Sequence, residues 1–338
     1  MSKHKNVYVT GSIAYDTIMD FPNKFQDYFH PERLHQINVS FVVDKLEKQL
    51  GGTGTNIAYN VKCSKVEKLK GSKVYLLGSV GKDGGEFLNF FKKNKIDTSG
   101  IIIDQKLYTA AGSVITDTKD NQIWGFYYGA SAKIPYIDFK KLNRETDLII
   151  ISANHKNSFL YFQSGAIKNK IPYLYDPGMA LSWIKDNDLK EGVMNSKYLI
   201  GNDYEIAMIL KRLGVSINKL IDTGVIVITT LGEEGVRYEE RLESLKVEKL
   251  KSINLKTFEP SNLKTIKVPA FKVKKMVDPT GAGDAWRGGF VAGLLMDYST
   301  EDCLKLGNVM ASFAIEKYGT VNHKPTKKEI EKRLKKLS

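Results

Sequence analysis

Short β-rich runs and longer amphipathic runs alternate along most of this chain, and that rhythm leaves few folds open. Strand-like segments fall at 6–10, 73–80, 147–152, 172–175, 197–201 and 225–230. Segments with helical spacing lie between them, at 56–68, 84–95, 156–169, 203–213 and 216–222. A strand that returns parallel to its predecessor needs a crossover of helical length. The order therefore predicts an α/β fold, a doubly wound and mostly parallel sheet flanked by helices on both faces. The last third reads as helical at 284–297, 301–317 and 326–336. No repeat or low-complexity linker divides the 338 residues, which one large domain accommodates.

Three stretches break the rhythm. Residues 12–50 contain a strand-like run at 39–44. Residues 108–130 contain two β-type runs, 113–116 and 122–128, joined by a turn at 117–121. Together they predict a small β-sheet projecting from the main domain. Residues 239–270, rich in lysine and glutamate, read as an exposed insertion of hairpin or loop.

Composition excludes some function classes. The net charge is +13, but the lysines spread through the whole chain instead of forming one patch. No nucleic-acid partner is expected; a basic surface also speeds encounter with a polyanion such as ATP. The apolar runs fall well short of the ~20 residues that cross a bilayer, so no membrane association is expected. The polar N-terminus leads straight into the first strand, without a signal peptide, and Cys63 and Cys303 form no metal-spaced motif. Both observations point to a reducing cytoplasm.

The run from Asp278 to Phe290 carries the most chemistry. Gly281, Ala282 and Gly283 lead into Asp284 and then into an apolar helical segment. Unpaired N–H groups and the positive end of the helix dipole make such a corner an anion site, best suited to phosphate. A carboxylate at an anion site is electrostatically awkward. It is explained if Asp284 takes the proton of a hydroxyl attacking the γ-phosphate; the plainer alternative is a carboxylate stabilising its own helix. Arg287, one turn on, adds positive charge there or makes an ordinary ion pair.

Other segments supply further candidates. Gly52 and Asn56, in the glycine cluster 51–58, can let a ligand touch backbone and bond its hydroxyls, or form a turn with an Asn cap. Asp16 follows the first strand, where open α/β sheets place ligands, and can grip a vicinal diol; a turn carboxylate is the alternative. Asn202 and Glu205, three apart, can face one way around a helix start and by themselves fit a capping box. Thr230, Gly232 and Gly235 close another strand and read by themselves as a plain glycine turn. Asn308 is a candidate adenine-side contact or a satisfied helix residue. The chain has no GxxxxGK[ST], no complete GxGxxG and no HExxH.

The run 278–290, with the GG…N cluster and Asn202-Asp203-Tyr204-Glu205, resembles the ribokinase-like (PfkB) family of small-molecule kinases. That resemblance implies transfer of the γ-phosphoryl group of ATP to a hydroxymethyl group. Asp284 would be the base and the 281–283 amides the anion hole. Asp16, Gly52 and Asn56 would hold the sugar, and Glu205 would organise Mg²⁺ through water. Thr230, Gly232 and Gly235 would border the nucleotide, and a monovalent-cation requirement stays open. The small sheet would be a lid, built from about 12–50 and 108–130, closing over the acceptor and pairing two subunits into a homodimer. Residues 9–22 and 31–41, with Arg287, are most similar to actinobacterial-type adenosine kinases. By that likeness Ser12, Asp16, Ser40, Gly52 and Asn56 contact a nucleoside and Phe126 stacks on its base; a lid-core role is the alternative for Phe126. Gly112, Trp183 and Trp286 depart from that pattern. The expectation is an ATP-dependent kinase for a nucleoside 5′-hydroxyl, adenosine first. The rivals are a ribokinase- or fructokinase-like sugar kinase and a catalytically silent binding protein on the same fold.

Overall fold

The computed structural model describes residues 4–29, 38–64, 72–119, 121–242 and 263–337. Residues 31–37, 65–68, Asp120 and the middle of the Lys/Glu-rich insertion (243–262) lie outside the described residues. The main sheet contains, in chain order, β1 (Asn6–Thr10), β4 (Lys73–Val80), β5 (Ile101–Ile103), β8 (Asp147–Ser152), β9 (Tyr173–Asp176), β10 (Tyr198–Asn202), β11 (Ile226–Thr230), β12 (Val236–Arg241) and β13 (Leu263–Val268). Their spatial order is β13-β12-β11-β10-β9-β8-β1-β4-β5. Every pairing is parallel except β11–β12 and β12–β13.

The helices are α1 (Thr53–Cys63), α2 (Gly85–Lys93), α3 (Lys156–Asn169), α4 (Asp186–Met194), α5 (Asp203–Leu213), α6 (Ile217–Asp222), α7 (Ala282–Leu295), α8 (Thr300–Ala314) and α9 (Lys327–Leu334). They form two layers because side chains alternate across a strand. Leu148 and Ile150 of β8 join a core with α1, α2, α7 and α8, whereas Ile149 and Ile151 join one with α3 to α6. All six residues of β8 are buried, as a parallel strand covered on both faces requires.

A separate four-stranded sheet, ordered β3-β2-β6-β7, is built from β2 (Ala14–Asp20), β3 (Lys45–Gly51), β6 (Ala110–Thr116) and β7 (Gln122–Tyr127). The expected lid segments supply it, with one correction. Its strand is 45–51, not 39–44. The apolar residue that marked the earlier run, Phe41, instead packs with Phe21, Phe25, Tyr28 and Phe29. The flanks of the insertion are also more ordered than a surface loop. β12 and β13 pair antiparallel and finish one edge of the main sheet.

Candidate active site

The chain leaves β1 toward β4 on one side and returns to it as β8 on the other. This reversal opens a crevice at the carboxyl ends of the strands, where doubly wound sheets bind ligands. Ser12, just past β1, ties its walls together. Its N–H donates to the Ala153 carbonyl at 3.1 Å. Its Oγ accepts from the Thr53 N–H at 3.1 Å, and Thr53 Oγ1 donates to the Ala153 carbonyl at 2.9 Å. The start of α1 is thereby anchored to the switch point.

Helix α7 starts at Gly281, whose φ of +76° is left-handed and favours glycine. The helix lies against α1 so closely that a Cβ at Gly288 would stand 2.3 Å from the Asn60 Cβ. That approach delivers Asn56 of α1 to Asp284 in the first turn of α7. Asn56 Nδ2 donates to Asp284 Oδ2 at 2.8 Å. Burial pushes the Asp284 carboxyl up to about 6; Arg287 and the Asn56 bond pull it down, and Asp176 and Glu205 push it further up. Asp16, on the lid strand β2, is likewise raised to about 6 by burial and then by the Asp284 charge. Gly51 makes room for Asp16, since a Cβ there would come within 2.0 Å of its Oδ2.

Arg287 is buried, and its Nη2 donates to Asp176 Oδ1 at 2.6 Å. The second Asp176 oxygen accepts from Ser152 Oγ at 2.9 Å. The expected positive charge beside Asp284 is therefore held rigidly, by a partner from the end of β9. Glu205 and Asn202 form a reciprocal capping box at the start of α5, with bonds of 2.8 and 2.9 Å. One Glu205 oxygen is thus committed to the helix, yet the side chain still lines the crevice.

The crevice encloses about 220 Å³. Its polar wall includes Ser12, Asn154, Asp176, Glu205, Asp284 and Arg287, and its apolar wall includes Phe126, Tyr128, Met179 and Trp183. Phe126 and Tyr128 meet edge-on, with ring centroids 5.1 Å apart. In the lid sheet Gly112 pairs with Asp16 on one side and with Phe126 on the other. Paired residues share a face, so Gly112 leaves a gap between the acid and the ring. Asp176, Asn154, Tyr128 and Met179 were not among the sequence candidates. An acid and an amide at the carboxyl ends of β9 and β8 were the signal available for the first two.

Several expected contacts have other work. Both amide hydrogens of Asn308 go to backbone, at the Val268 and Pro269 carbonyls, and its Oδ1 accepts from Trp286 Nε1 at 2.7 Å. It bolts α7 to α8 and to the end of β13, with no N–H left for a nucleotide. Trp286 stacks on Phe290 in the core and does not line the crevice. Ser40 is exposed and is not part of the crevice lining. Thr230 lies beside Asn202 in the sheet register. Gly235 passes so close to β13 that a Cβ would come within 2.1 Å of the Val268 carbonyl, which is a structural demand.

The family model for pfkB carbohydrate kinases matches residues 13–327, nearly the whole chain. This chain belongs to the pfkB family of carbohydrate kinases. A nucleoside kinase of Methanocaldococcus jannaschii is 27% identical over 314 residues, covering 92% of this chain and 94% of that protein. A ribokinase of Lactococcus lactis is 28% identical over 295 residues, covering 85% and 86%. The structure of Burkholderia thailandensis nucleoside kinase in complex with inosine superposes with a TM-score of 0.79 at 24% identity, covering 98% and 97%. The fold is ribokinase-like, and the protein is a phosphotransferase acting on a hydroxyl group, a nucleoside or sugar kinase.

The charge balance of the crevice bears on a cation. Asp176, Glu205 and Asp284 surround the guanidinium of Arg287, and the Asp284 charge also acts on Asp16. Such a site admits a polyphosphate only with added positive charge, and its hard oxygen donors fit Mg²⁺. Among the described residues no group of three acidic, His or Cys side chains converges to hold a metal directly. Water would then supply most of the coordination.

Proposed function

We propose that this kinase transfers the γ-phosphoryl group of ATP to the 5′-hydroxyl of a nucleoside, adenosine first among them. The observation that carries this reading is the Asn56–Asp284 pair at the start of α7, facing a crevice whose other wall is aromatic. Asp16 and Asn56 hold the ribose so that its 5′-hydroxyl faces the phosphate. Asp284 accepts the hydroxyl proton, and the Gly281, Ala282 and Gly283 amides stabilise the charge on the transferring group. Phe126 and Tyr128 stack against the base, which favours a nucleoside over a bare sugar. Asn202, Thr230, Gly232 and Gly235 border the nucleotide, and Arg287 adds a fixed positive charge. Mg²⁺, held near Glu205 through water, would neutralise the phosphates when bound.

The quaternary reading rests on the lid. Leu46, Met19, Ile115 and Ile123 form one cross-strand row on the face opposite Asp16 and Phe126. Leu46 and Ile123 are exposed. Two such rows packing together would make a homodimer with a lid over each crevice.

The test is ADP release with Mg·ATP against adenosine, guanosine, inosine, cytidine, ribose and fructose. Turnover highest with adenosine is expected. A different nucleoside would point to the Gly112 gap and Trp183 as the specificity positions, and turnover on free sugars alone would sink the nucleoside reading. Asp284→Asn should lower kcat by about 10²–10⁴-fold with ATP binding intact. Substantial activity in that variant would remove Asp284 from the role of base.

A further inference from the structure

Asn56 presents two chemically different ends, and only one of them supports a carboxylate. With Nδ2 toward Asp284 it donates to the ionised oxygen. Reversed, it would set its carbonyl against that oxygen, which an ionised carboxylate cannot tolerate. Something on the far side must favour the productive orientation. Thr320 is placed to do so: its Oγ1 lies 2.8 Å from Asn56 Oδ1. Oδ1 carries no hydrogen, so the bond forms only if Thr320 donates. The same hydroxyl has a competing acceptor, the Leu50 carbonyl at 3.1 Å, but the shorter bond goes to Asn56.

The surroundings hold both partners still. Thr320, Asn56, Asn60 and His323 are all buried, where a hydrogen bond is stronger and an unmade one more costly. A Cβ at Gly281 would meet the Thr320 Cβ at 2.8 Å, so Thr320 packs directly on the first residue of the anion corner. Asn60 Nδ2 donates to the Asn56 carbonyl at 2.9 Å, and its Oδ1 is 2.7 Å from His323 Nε2. An amide oxygen can only accept, so His323 is protonated on Nε2. The Tyr59 hydroxyl donates to the His323 carbonyl. The segment 318–323 thus clamps the turn of α1 that carries Asn56.

We propose that Thr320 is a positioning residue for phosphoryl transfer: its hydroxyl fixes the Asn56 amide so that the NH₂ group faces Asp284. This rests on Asp284 being the base. Thr320 touches neither Asp284 nor the acceptor: its hydroxyl acts through Asn56, while its methyl packs on Gly281.

The experiment compares Thr320→Val, which keeps the shape and loses the hydroxyl, with Thr320→Ser, which keeps the hydroxyl, and runs Asp284→Asn beside them. Thr320→Val should lower kcat by about tenfold or more, the loss expected for one buried hydrogen bond that sets geometry. KM for Mg·ATP should stay within about twofold, because the nucleotide side is untouched. Thr320→Ser should keep about half of kcat or more. Wild-type kcat in the Val variant would overturn the proposal. So would a Ser variant as impaired as Val, since retaining the hydroxyl would then not retain the geometry. A loss of kcat matched by a raised KM for ATP and a lowered melting temperature would also overturn it, since that is a scaffold defect. If Thr320→Val does not fold, Thr320→Ala, which lacks both hydroxyl and methyl, is read against Thr320→Ser, which lacks only the methyl. Activity in Asp284→Asn would instead sink the base assignment itself, and so the two failures are distinguishable.

Discussion

Asp284 combines two demands that oppose each other, reactivity and burial. The proposed role as base needs the ionised form, yet burial raises this carboxyl to about 6. The acid limb of kcat/KM should therefore lie near pH 6 and not near 4. Asp16 is raised to about 6 as well, in part by Asp284, so the two titrate as a coupled pair. Repulsion between the two carboxylates separates their ionisations, so the limb should be broader than a single ionisation, and a profile from pH 4.5 to 8 with one titration near 4 would contradict this. Stability should run the other way. A folded-state pKa above the unfolded one favours the protonated fold, so stability is gained as pH falls from 6 toward 4 and lost as it rises through that window. Asp284→Asn, which removes the buried charge, should melt higher than wild type at pH 7.5, with the gap closing by pH 4.5. A lower melting temperature at pH 7.5 would show the carboxylate to be stabilising. Asp284 and Asn56 stood out as candidates because each sits in a short local pattern beside glycines, and Asp16 because it follows the first strand. Asp176 and Thr320 did not. Their partners, Arg287 and Asn56, are 111 and 264 residues away in the chain, and nothing local encodes such a pairing. Asn308 could be read two ways for the same reason: its three hydrogen-bond partners come from a neighbouring helix and a distant strand end.

At the scale of elements, the proposed Asn56–Asp284 pair depends on how closely α7 can approach α1. Gly288 is the contact point. A methyl group there would meet the Asn60 Cβ at 2.3 Å and the Ile57 carbonyl at 3.0 Å, and backbone does not yield as a flexible side chain would. Gly288→Ala should thus cost about 1–3 kcal/mol by overpacking. It should also pry Asn56 from Asp284, and a displacement of about 1 Å at a catalytic group costs on the order of 10²-fold in rate. Urea unfolding and ADP release on the same preparation check both effects. Stability lost with kcat unchanged would mean that α1 and α7 move together. Elements with strong local periodicity were readable to within a residue or two; α3 and α5, for example, end where their apolar spacing ends. The lid strand β3 was not. Its run Lys-Leu-Glu-Lys-Gln-Leu is half-solvated and owes its β conformation to pairing with β2, whereas the more apolar run before it goes into an aromatic cluster.

For the whole molecule, alternation along the chain implied a parallel sheet but not the order of its strands. Returning β8 to the far side of β1, across the entire lid, is what creates the crevice. Parallel pairing over such a separation leaves no local trace. The two sheets divide the work: the large one presents α7 and the strand ends, and the small one closes over them with Asp16 and Phe126 on its inner face. The outer face then needs an explanation. Leu46, Met19, Ile115 and Ile123 run across all four lid strands as one apolar row, and a lone four-stranded sheet gains little by exposing it. Burial of the row against its copy would stiffen both lids and fix the ring walls of both crevices. Light scattering should find the wild type at twice the chain mass of 38.0 kDa at micromolar concentration. Leu46→Asp combined with Ile123→Asp places carboxylates at both ends of the row and should give monomers. If the lid is completed by its partner, those monomers should keep ATP affinity while KM for the nucleoside rises by about tenfold or more, as expected when aromatic walls lose their support. A wild type that is monomeric at every concentration would remove the homodimer. A monomeric double variant with unchanged nucleoside KM would keep the dimer but deny it any part in substrate capture.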